Sequence, residues 1–202
     1  MALGRYICCF LLAVLTITCK RDVGFDPQPP LQYGIYYWGE VEGRRNNVPM
    51  LNPRILAALY SNHPRKACDR DKFSISIREF DDSGCERLSL SLGDMPRKVG
   101  TSAQFQYRLN AVRCHPQLFP HVALYLLNCD IYLGSYLVDS LKRSELTISA
   151  FDTVSREVRG SFKLHFKLNE RPNQTVLKTP DSLYYEATFK TKLLPEGKQR
   201  YE

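Results

Sequence analysis

The stretch SFKLHFKL, residues 161–168, decides the fold because apolar and polar side chains alternate along its whole length. Every second residue from Phe162 to Leu168 is apolar, and lysines and His165 stand between them. A period of two residues is typical of a β-strand with one buried and one solvated face. The stretch therefore predicts such a strand, with His165 on the solvated face.

The same period recurs along most of the chain. It is seen in GIYYWGEVEG (34–43), KFSISIREF (72–80), RLSLSL (87–92) and QFQYRL (104–109). Turn signals separate these runs, at DDSG (81–84) and at Gly93-Asp94 before Pro96. Strands at roughly ten-residue spacing, without helical crossovers, predict an all-β fold. We expect an antiparallel β-sandwich or a lipocalin-like barrel.

One segment has helical spacing instead. In NPRILAALYSN (52–62), Asn52 is suited to cap a helix and Pro53 to occupy its first position. Ile55 and Leu59 are four residues apart and would share one side. The sequence therefore predicts one short helix, over residues 53–60, that covers part of the sheet.

Residues 1–18 predict a secretory signal peptide. A short, weakly positive start precedes YICCFLLAVLTI, an apolar run that is too short to span a bilayer. A buried helix of the fold is the alternative, but the run is apolar on every side and fully N-terminal. No later segment is long and apolar enough to predict a transmembrane helix.

Cys19 follows this leader and is a candidate lipid acceptor. Thr16-Ile17-Thr18-Cys19 resembles the lipobox of bacterial lipoproteins in its looser Bacteroidota form; the strict form prefers Leu at the first of these positions and a small residue at the third. Residues 19–32 contain KRDVGFDPQPP, whose prolines favour a flexible, extended tether. Residues 33–202 would then form a single β domain. This organisation predicts lipid anchoring at the outer membrane or cell surface, with plain secretion as the alternative.

The net charge of the chain does not indicate a particular class of partner. The formal net charge is +7, and +6 once a leader containing Arg5 is removed. Lys20 and Arg21 would lie near anionic headgroups beside the lipid. Export argues against a nucleic-acid partner. No glycine-rich phosphate loop is present, and no cofactor is expected.

Four cysteines remain after the leader and Cys19: Cys68, Cys85, Cys114 and Cys129. An even number in an exported chain predicts two disulfides, in one of three connectivities. Proximity in sequence favours Cys68–Cys85 and Cys114–Cys129. A metal site is the alternative, with ligands from Cys114-His115 and from His63 and Cys68-Asp69. The paired ligand spacing of zinc sites is missing, so no metal is expected.

Glu79, Asp81 and Asp82 cluster at the predicted hairpin turn. Two neighbouring carboxylates can divide acid and base chemistry in a hydrolase. Asp-Ser-Gly beside them favours a solvated turn instead. No G-x-S-x-G motif marks a serine nucleophile. The sequence therefore predicts a protein that is not an enzyme, and an envelope hydrolase using Glu79–Asp82 is the alternative.

Tyr36 and Trp38 are the candidate ligand-binding residues. They share one face of a predicted strand, and Tyr37 lies on the other. Exposed aromatic rings stack on sugars or anchor protein contacts, unless the helix over 53–60 covers them. A shallow aromatic face around Trp38 would favour binding, whereas a deep pocket with convergent carboxylates would favour an enzyme.

The C-terminal part of the chain resembles small exported Bacteroidota lipoproteins of an uncharacterised family, a domain of unknown function. The similarity lies in LTISAFDTVSREVRGSFKLHFKL (146–168), with Phe151-Asp152 at a hairpin turn and Gly160 opening the next strand. It continues in YYEATFKTK (184–192), although Ala187 stands where such proteins often have Gly. The resemblance implies an exported, all-β, lipocalin-like or sandwich domain and no known activity.

Two of these residues have a physical interpretation of their own. Asp152 can close a turn by accepting backbone N–H bonds. Gly160 suits a β-bulge or a tight strand entry.

Two kinds of modification signal are present. Asn173-Gln174-Thr175 is a sequon, which matters only in a eukaryotic secretory pathway. Three tripeptides resemble the O-glycosylation signal of Bacteroidota: Asp139-Ser140-Leu141, Asp152-Thr153-Val154 and Asp181-Ser182-Leu183.

These patterns predict a lipid-anchored cell-envelope protein that acts as a non-catalytic binding or interaction module. Its expected partners are the membrane, through the lipid, and a glycan or an envelope protein. A structural subunit of a surface assembly is a third interpretation, and a long unpaired edge strand would support it.

Overall fold

The computed structural model describes residues 37–59, 72–105, 119–170 and 179–194. Within these ranges the chain forms eleven β-strands and no helix, so the predicted all-β class is confirmed. The strands are β1 (Gly39–Arg45), β2 (Val48–Pro49), β3 (Pro53–Leu59), β4 (Lys72–Phe80), β5 (Glu86–Pro96), β6 (Gly100–Ser102), β7 (His121–Asn128), β8 (Ile131–Val138), β9 (Glu145–Phe151), β10 (Glu157–Glu170) and β11 (Ser182–Leu194).

All eleven strands belong to one sheet, in the order β2-β1-β11-β3-β4-β5-β7-β8-β10-β9-β6. An additional pairing between β10 and β11 closes the seven strands from β11 to β10 into a ring. The pairings are antiparallel except for a short parallel contact, Leu193 and Leu194 against Ala57 and Ala58. The architecture is therefore a barrel-like sandwich. Its sheet order ends on strands of two and three residues, β2 and β6.

The two longest strands divide the sheet into layers because each changes partner along its length. β10 pairs with β9 up to Lys163 and with β8 from Phe166 onward. β11 pairs with β1 up to Thr191 and with β3 from Leu193. One layer thus contains β1, β9, β10 and β11, and the other contains β3, β4, β5, β7 and β8.

The core lies between these layers and follows the predicted alternation. Leu88, Leu90 and Leu92 on β5 are at most 1% exposed, and so are Phe162, Leu164 and Phe166 on β10. The Phe162 ring meets that of Tyr185 edge-on, with centres 5.4 Å apart. At about 25 cal/mol per Å² of buried apolar surface, such side chains supply the main driving force for folding. On the outer face, His165 is half-buried and stacks on Tyr184.

The helix predicted over 53–60 is wrong, because residues 53–59 form strand β3. β3 pairs with β4 along its whole length and touches β11 at its end. Ile55 and Ala57 face Ile77 and Ile75 across this pairing and are buried. The backbone bonds of β3 close the ring, and this tertiary pairing outweighs the helical propensity of Leu-Ala-Ala-Leu.

The turn predicted at Gly93-Asp94 is also wrong, because β5 continues through both residues to Pro96. The β4–β5 register shifts here: Ile75 pairs with Leu92, but Phe73 pairs with Met95. Asp94 has a positive φ of 53°. The glycine and aspartate therefore form a bulge inside a strand, which uses the same residue types as a turn.

The hairpin of β9 and β10 matches its prediction. Asp152 accepts the N–H groups of Val154 and Ser155 at 2.8 and 3.1 Å and closes the turn. The register shifts between Arg159 and Gly160. A Cβ on Gly160 would lie 2.3 Å from the Thr147 carbonyl oxygen, so a side chain cannot be accommodated without movement.

Several predictions concern residues outside the described ranges. These are the leader, Cys19, the tether, Tyr36, Cys68, Cys114, the sequon and most of QFQYRL. Among the described residues, no helix is long and apolar enough to cross a membrane.

Candidate binding surface

Glu79 lies in the core and not in a solvated turn, so the predicted cluster of three turn carboxylates is wrong. Buried residues alternate along β4, and Glu79 continues the inward row of Phe73, Ile75 and Ile77. It is only 1% exposed. The period of two that places the apolar residues inside also places this carboxyl group inside.

Both carboxyl oxygens of Glu79 have partners. The Tyr185 hydroxyl donates to Oε1 at 2.8 Å, and the Leu51 N–H donates to Oε2 at 3.0 Å. Arg45 Nη2 lies 3.5 Å from Oε2. Burial above all, and then the Glu79 carboxyl, raise the pKa of Tyr185 well above its ordinary value. The group therefore ties β4 to β11, β1 and the segment before β3.

Asp81 organises the turn between β4 and β5. Its Oδ1 accepts the Ser83 hydroxyl at 2.6 Å and the N–H groups of Ser83 and Cys85 at 3.0 Å. Arg87 Nη2 lies 2.7 Å from Oδ2. These hydrogen bonds, the Ser83 hydroxyl first, lower the pKa of Asp81 to about 2. Asp81 thus stabilises a turn, as its Asp-Ser-Gly context predicted.

Asp82 is exposed and accepts a weak 3.4 Å hydrogen bond from the Asn52 amide. Glu79 is enclosed in the core, whereas Asp81 and Asp82 lie in the turn. The Glu79 carboxyl group is therefore separated from those of Asp81 and Asp82. Glu79 and Asp81, which have several partners each, stabilise the fold.

Cys85 and Cys129 form a disulfide that spans 44 residues of sequence. The predicted pairs Cys68–Cys85 and Cys114–Cys129 are both wrong, because each would need one half of this bond. β5 and β7 are neighbours in the sheet, so the turn before β5 and the turn after β7 lie side by side. Spatial adjacency across the sheet, not proximity in sequence, determines the pairing.

Trp38 lies immediately before β1 and is 42% exposed. Its carbonyl accepts the Thr191 hydroxyl at 2.7 Å, and its N–H donates to the Ile55 carbonyl at 3.1 Å. The Lys192 ammonium lies 5.6 Å from the centre of its ring, within cation–π distance. Trp38 is therefore held by its backbone and leaves part of its ring accessible.

Tyr37 packs in the opposite direction, against the outer side of β3 and β4. Its ring meets Phe80 edge-on at 6.1 Å, and the Arg54 guanidinium lies over both rings, at 5.7 and 4.7 Å. Burial is the main cause that raises the pKa of Tyr37. Its aromatic surface is thus used for packing.

A second aromatic surface, which the sequence patterns did not predict, lies on the hairpin formed by β7 and β8. Tyr125, Ile131 and Tyr132 are 36%, 57% and 50% exposed. The two tyrosine rings are 6.3 Å apart and inclined at 62°. We call these three residues the hairpin patch. Exposed apolar side chains that cluster mark interaction sites, whereas single ones need no explanation.

Neighbouring contacts hold the turn and the Tyr132 side chain in place. The Cys85–Cys129 disulfide fixes one side of the turn. Arg87 donates to the Asn128 side chain in the same turn. The Tyr132 hydroxyl donates to Glu170 on β10, and burial followed by this bond raises the pKa of Tyr132. Side chains fixed before binding lose little conformational entropy on association.

A signal for the hairpin patch exists in HVALYLLNCDIYLG (121–134). Val122 and Leu124 follow the inward period and are buried, which places Tyr125 outside. The position of Tyr132 could not be read in this way, because a register shift between Leu126 and Leu127 breaks the period.

No family model matches the chain, and no curated protein or solved structure is significantly similar to it. Among the described residues, no group of three His, Cys, Asp or Glu side chains is placed to hold a metal ion.

Proposed function

We propose that the chain is a lipid-anchored protein of the cell envelope that works as a non-catalytic binding module. The observation that carries the binding role is the hairpin patch, two neighbouring exposed tyrosine rings with an exposed isoleucine next to Tyr132 in the sequence. Tyrosine is enriched at binding surfaces because its large ring has few rotatable bonds and a polar end. The anchor rests on the Cys19 motif and on the leader that precedes it.

A glycan is the ligand that this surface favours. Protein–protein interfaces of ordinary size need about 800 Å² from each partner, or some 20–30 residues, whereas the hairpin patch has three. Tyr132 offers a flat ring, and the Glu170 carboxylate at its edge is an acceptor for hydroxyl groups. Trp38, exposed elsewhere on the surface, offers a further ring.

The hydrolase alternative has weaker support. A glycosidase needs two carboxyl groups facing one bond, about 5–10 Å apart, with one free to receive a proton. Glu79 has both oxygens bonded inside the core. Asp81 accepts four hydrogen bonds in its turn and also forms an ion pair with Arg87. Release of reducing ends from a bound glycan, lost in Asp82→Asn, would revive this alternative.

The binding role is tested with the mature protein and the surface polysaccharide and peptidoglycan of the producing cell. We expect Tyr132→Ala and Tyr125→Ala each to weaken binding about tenfold or more, as central aromatic contacts do. Val99→Ala is the matched control, because Val99 is 61% exposed and lies outside the hairpin patch. Equal binding by all variants would contradict the role, and loss of an envelope protein instead of a glycan would change the ligand class.

The anchor is tested separately, by fatty-acid labelling and intact mass of the wild type and Cys19→Ala. Label on the wild type alone supports the lipoprotein. No label on either, with the leader removed, would mean soluble secretion and would leave the binding role to be judged by the hairpin-patch variants.

A further inference from the structure

Two exposed turns share a hydrogen-bonding pattern that neither the core nor the hairpin patch explains. In the turn after β8, Asp139 Oδ1 accepts the Leu141 N–H at 3.1 Å. In the turn after β9, Asp152 Oδ1 accepts the Val154 N–H at 2.8 Å. Each aspartate thus forms a turn with the residue two positions later, and one residue lies between the two.

The residue between carries a hydroxyl group in both turns. Ser140 and Thr153 are exposed, and neither hydroxyl bonds to another described residue. Leu141 and Val154 beside them are 92% and 91% exposed, whereas other exposed large apolar side chains in the described ranges reach at most 61%. Each turn therefore projects a free hydroxyl and an aliphatic side chain together into solvent.

The third tripeptide of this type does not do so. Ser182 opens β11 and pairs with Lys167 of β10. Leu183 points into the core and is 4% exposed. An enzyme that contacts both the hydroxyl and the following aliphatic side chain could therefore bind the tripeptides at Ser140 and Thr153, but not the one at Ser182.

The two exposed turns do not form one docking surface. They lie at opposite ends of β9, a seven-residue strand about 20 Å long. Each would therefore be recognised singly, by an enzyme that binds a short segment. Their aliphatic side chains add nothing to the core, and a solvated turn would ordinarily be polar.

We propose that Ser140 and Thr153 are O-glycosylation sites and that Ser182 is not. The inference rests on the export in the proposed function, because the modifying transferase would act on the exported chain. The hydroxyl oxygen forms a bond to the anomeric carbon of a diphosphate-activated sugar, and the bond from that carbon to the phosphate oxygen breaks. The hydroxyl proton passes to a base of the transferase, and the diphosphate leaves with the electron pair.

The test is the intact mass and site-mapped fragmentation of the protein purified from the cell that encodes it. The wild type should carry two glycan increments. Ser140→Ala and Thr153→Ala should each lose one, the double variant should lose both, and Thr153→Ser should retain its own. Ser182→Ala is the matched control and should keep both increments. All these positions are at the surface, so the variants should fold.

Other outcomes overturn the inference. A leader-free chain with no sugar, sugar on Ser182, increments that survive in the double variant, or sugar on Asn173 alone would each contradict it while leaving export intact. A chain that retains its leader would refute export itself, and the inference would fall with it. Since leader removal is read from the same mass, the two failures are distinguishable.

Discussion

Glu79 and Asp81 lie two residues apart, yet they belong to two regions that are stabilised in different ways. Glu79 is enclosed between the layers, where Tyr185 and Leu51 donate to it. Asp81 stands in a turn at the surface, where it gathers local N–H and hydroxyl donors. The comparison teaches that carboxyl groups adjacent in sequence need not share chemistry. Glu79 is buried because it belongs to strand β4, whereas Asp81 lies beyond the end of that strand.

Removing the Glu79 side chain should have the largest effect. Glu79→Ala leaves the Tyr185 hydroxyl and the Leu51 N–H without an acceptor and opens a cavity in the core. We expect a loss of about 3–5 kcal/mol in the free energy of unfolding, measured by urea denaturation. Glu79→Gln keeps an acceptor oxygen and a similar volume, so it should lose clearly less. Equal losses in the two variants would show that the hydrogen bonds matter little.

In the turn region that contains Asp81, we expect the Cys85–Cys129 disulfide to contribute most to stability. Cys85→Ala with Cys129→Ala should lower the free energy of unfolding by about 2–4 kcal/mol, since a loop that spans 44 residues becomes unconstrained in the unfolded chain. Each single variant already breaks the bond, so it should be as destabilised as the double variant. A double variant much less stable than both would indicate that the two side chains contribute by packing and not by the covalent bond.

The sequence predicts much of the fold because burial follows a period of two. The inward residues of β4, β5 and β10 were predicted correctly from that period alone. The Asp152 turn was predicted from the resemblance and from the tendency of aspartate to accept backbone N–H bonds. The turn at Gly93-Asp94 was predicted wrongly because these residues form a bulge inside β5. A register shift after Leu126 also interrupts the period in the β7–β8 hairpin. β3 was predicted as a helix because its sequence favours one locally, and only its two neighbours in the ring make it a strand.

The site was harder to predict, since it depends on contacts across the sheet. Extending the row Phe73, Ile75, Ile77 by one step would have placed Glu79 inside, but Asp81 and Asp82 beside it suggested a solvated turn. The Cys85–Cys129 bond and the hairpin patch depend on β5 lying next to β7. Proximity in the sequence does not show which strands are neighbours in the sheet.

Raising the pH above about 10 should destabilise the buried region around Glu79 and Tyr185. Burial holds the pKa of Tyr185 well above its ordinary value of 10.0. A raised folded-state pKa means that its stabilisation is fully present below about pH 10 and is lost as pH rises further, because only the unfolded chain ionises. Tyr185→Phe should lose about 1–3 kcal/mol at pH 7, since Glu79 loses a donor. It should also show a shallower decline in urea midpoint above pH 10.

Tyr184→Phe is the control for that measurement, because the pKa of Tyr184 is also raised, to about 12, but its hydroxyl donates to Glu186 on the outer face. It should be nearly as stable as the wild type at pH 7. A Tyr185→Phe variant that matches it there would mean that the buried hydroxyl contributes little beyond its ring.

Lowering the pH should destabilise the turn that contains Asp81. This is the smallest of the four predicted effects on stability. The pKa of Asp81 is lowered to about 2 from an ordinary 3.8, so its stabilisation is present above about pH 4 and is lost as pH falls towards 2. Asp81→Asn should be less stable than the wild type at pH 7, and the two urea midpoints should converge by pH 2. Asp82→Asn retains Asp81 and its hydrogen bonds, so this control should lose stability between pH 4 and pH 2 as the wild type does. If Asp81→Asn instead stays separated from the wild type at pH 2, the charge of Asp81 does not stabilise the turn, and its oxygen serves only as an acceptor that an amide can replace in part.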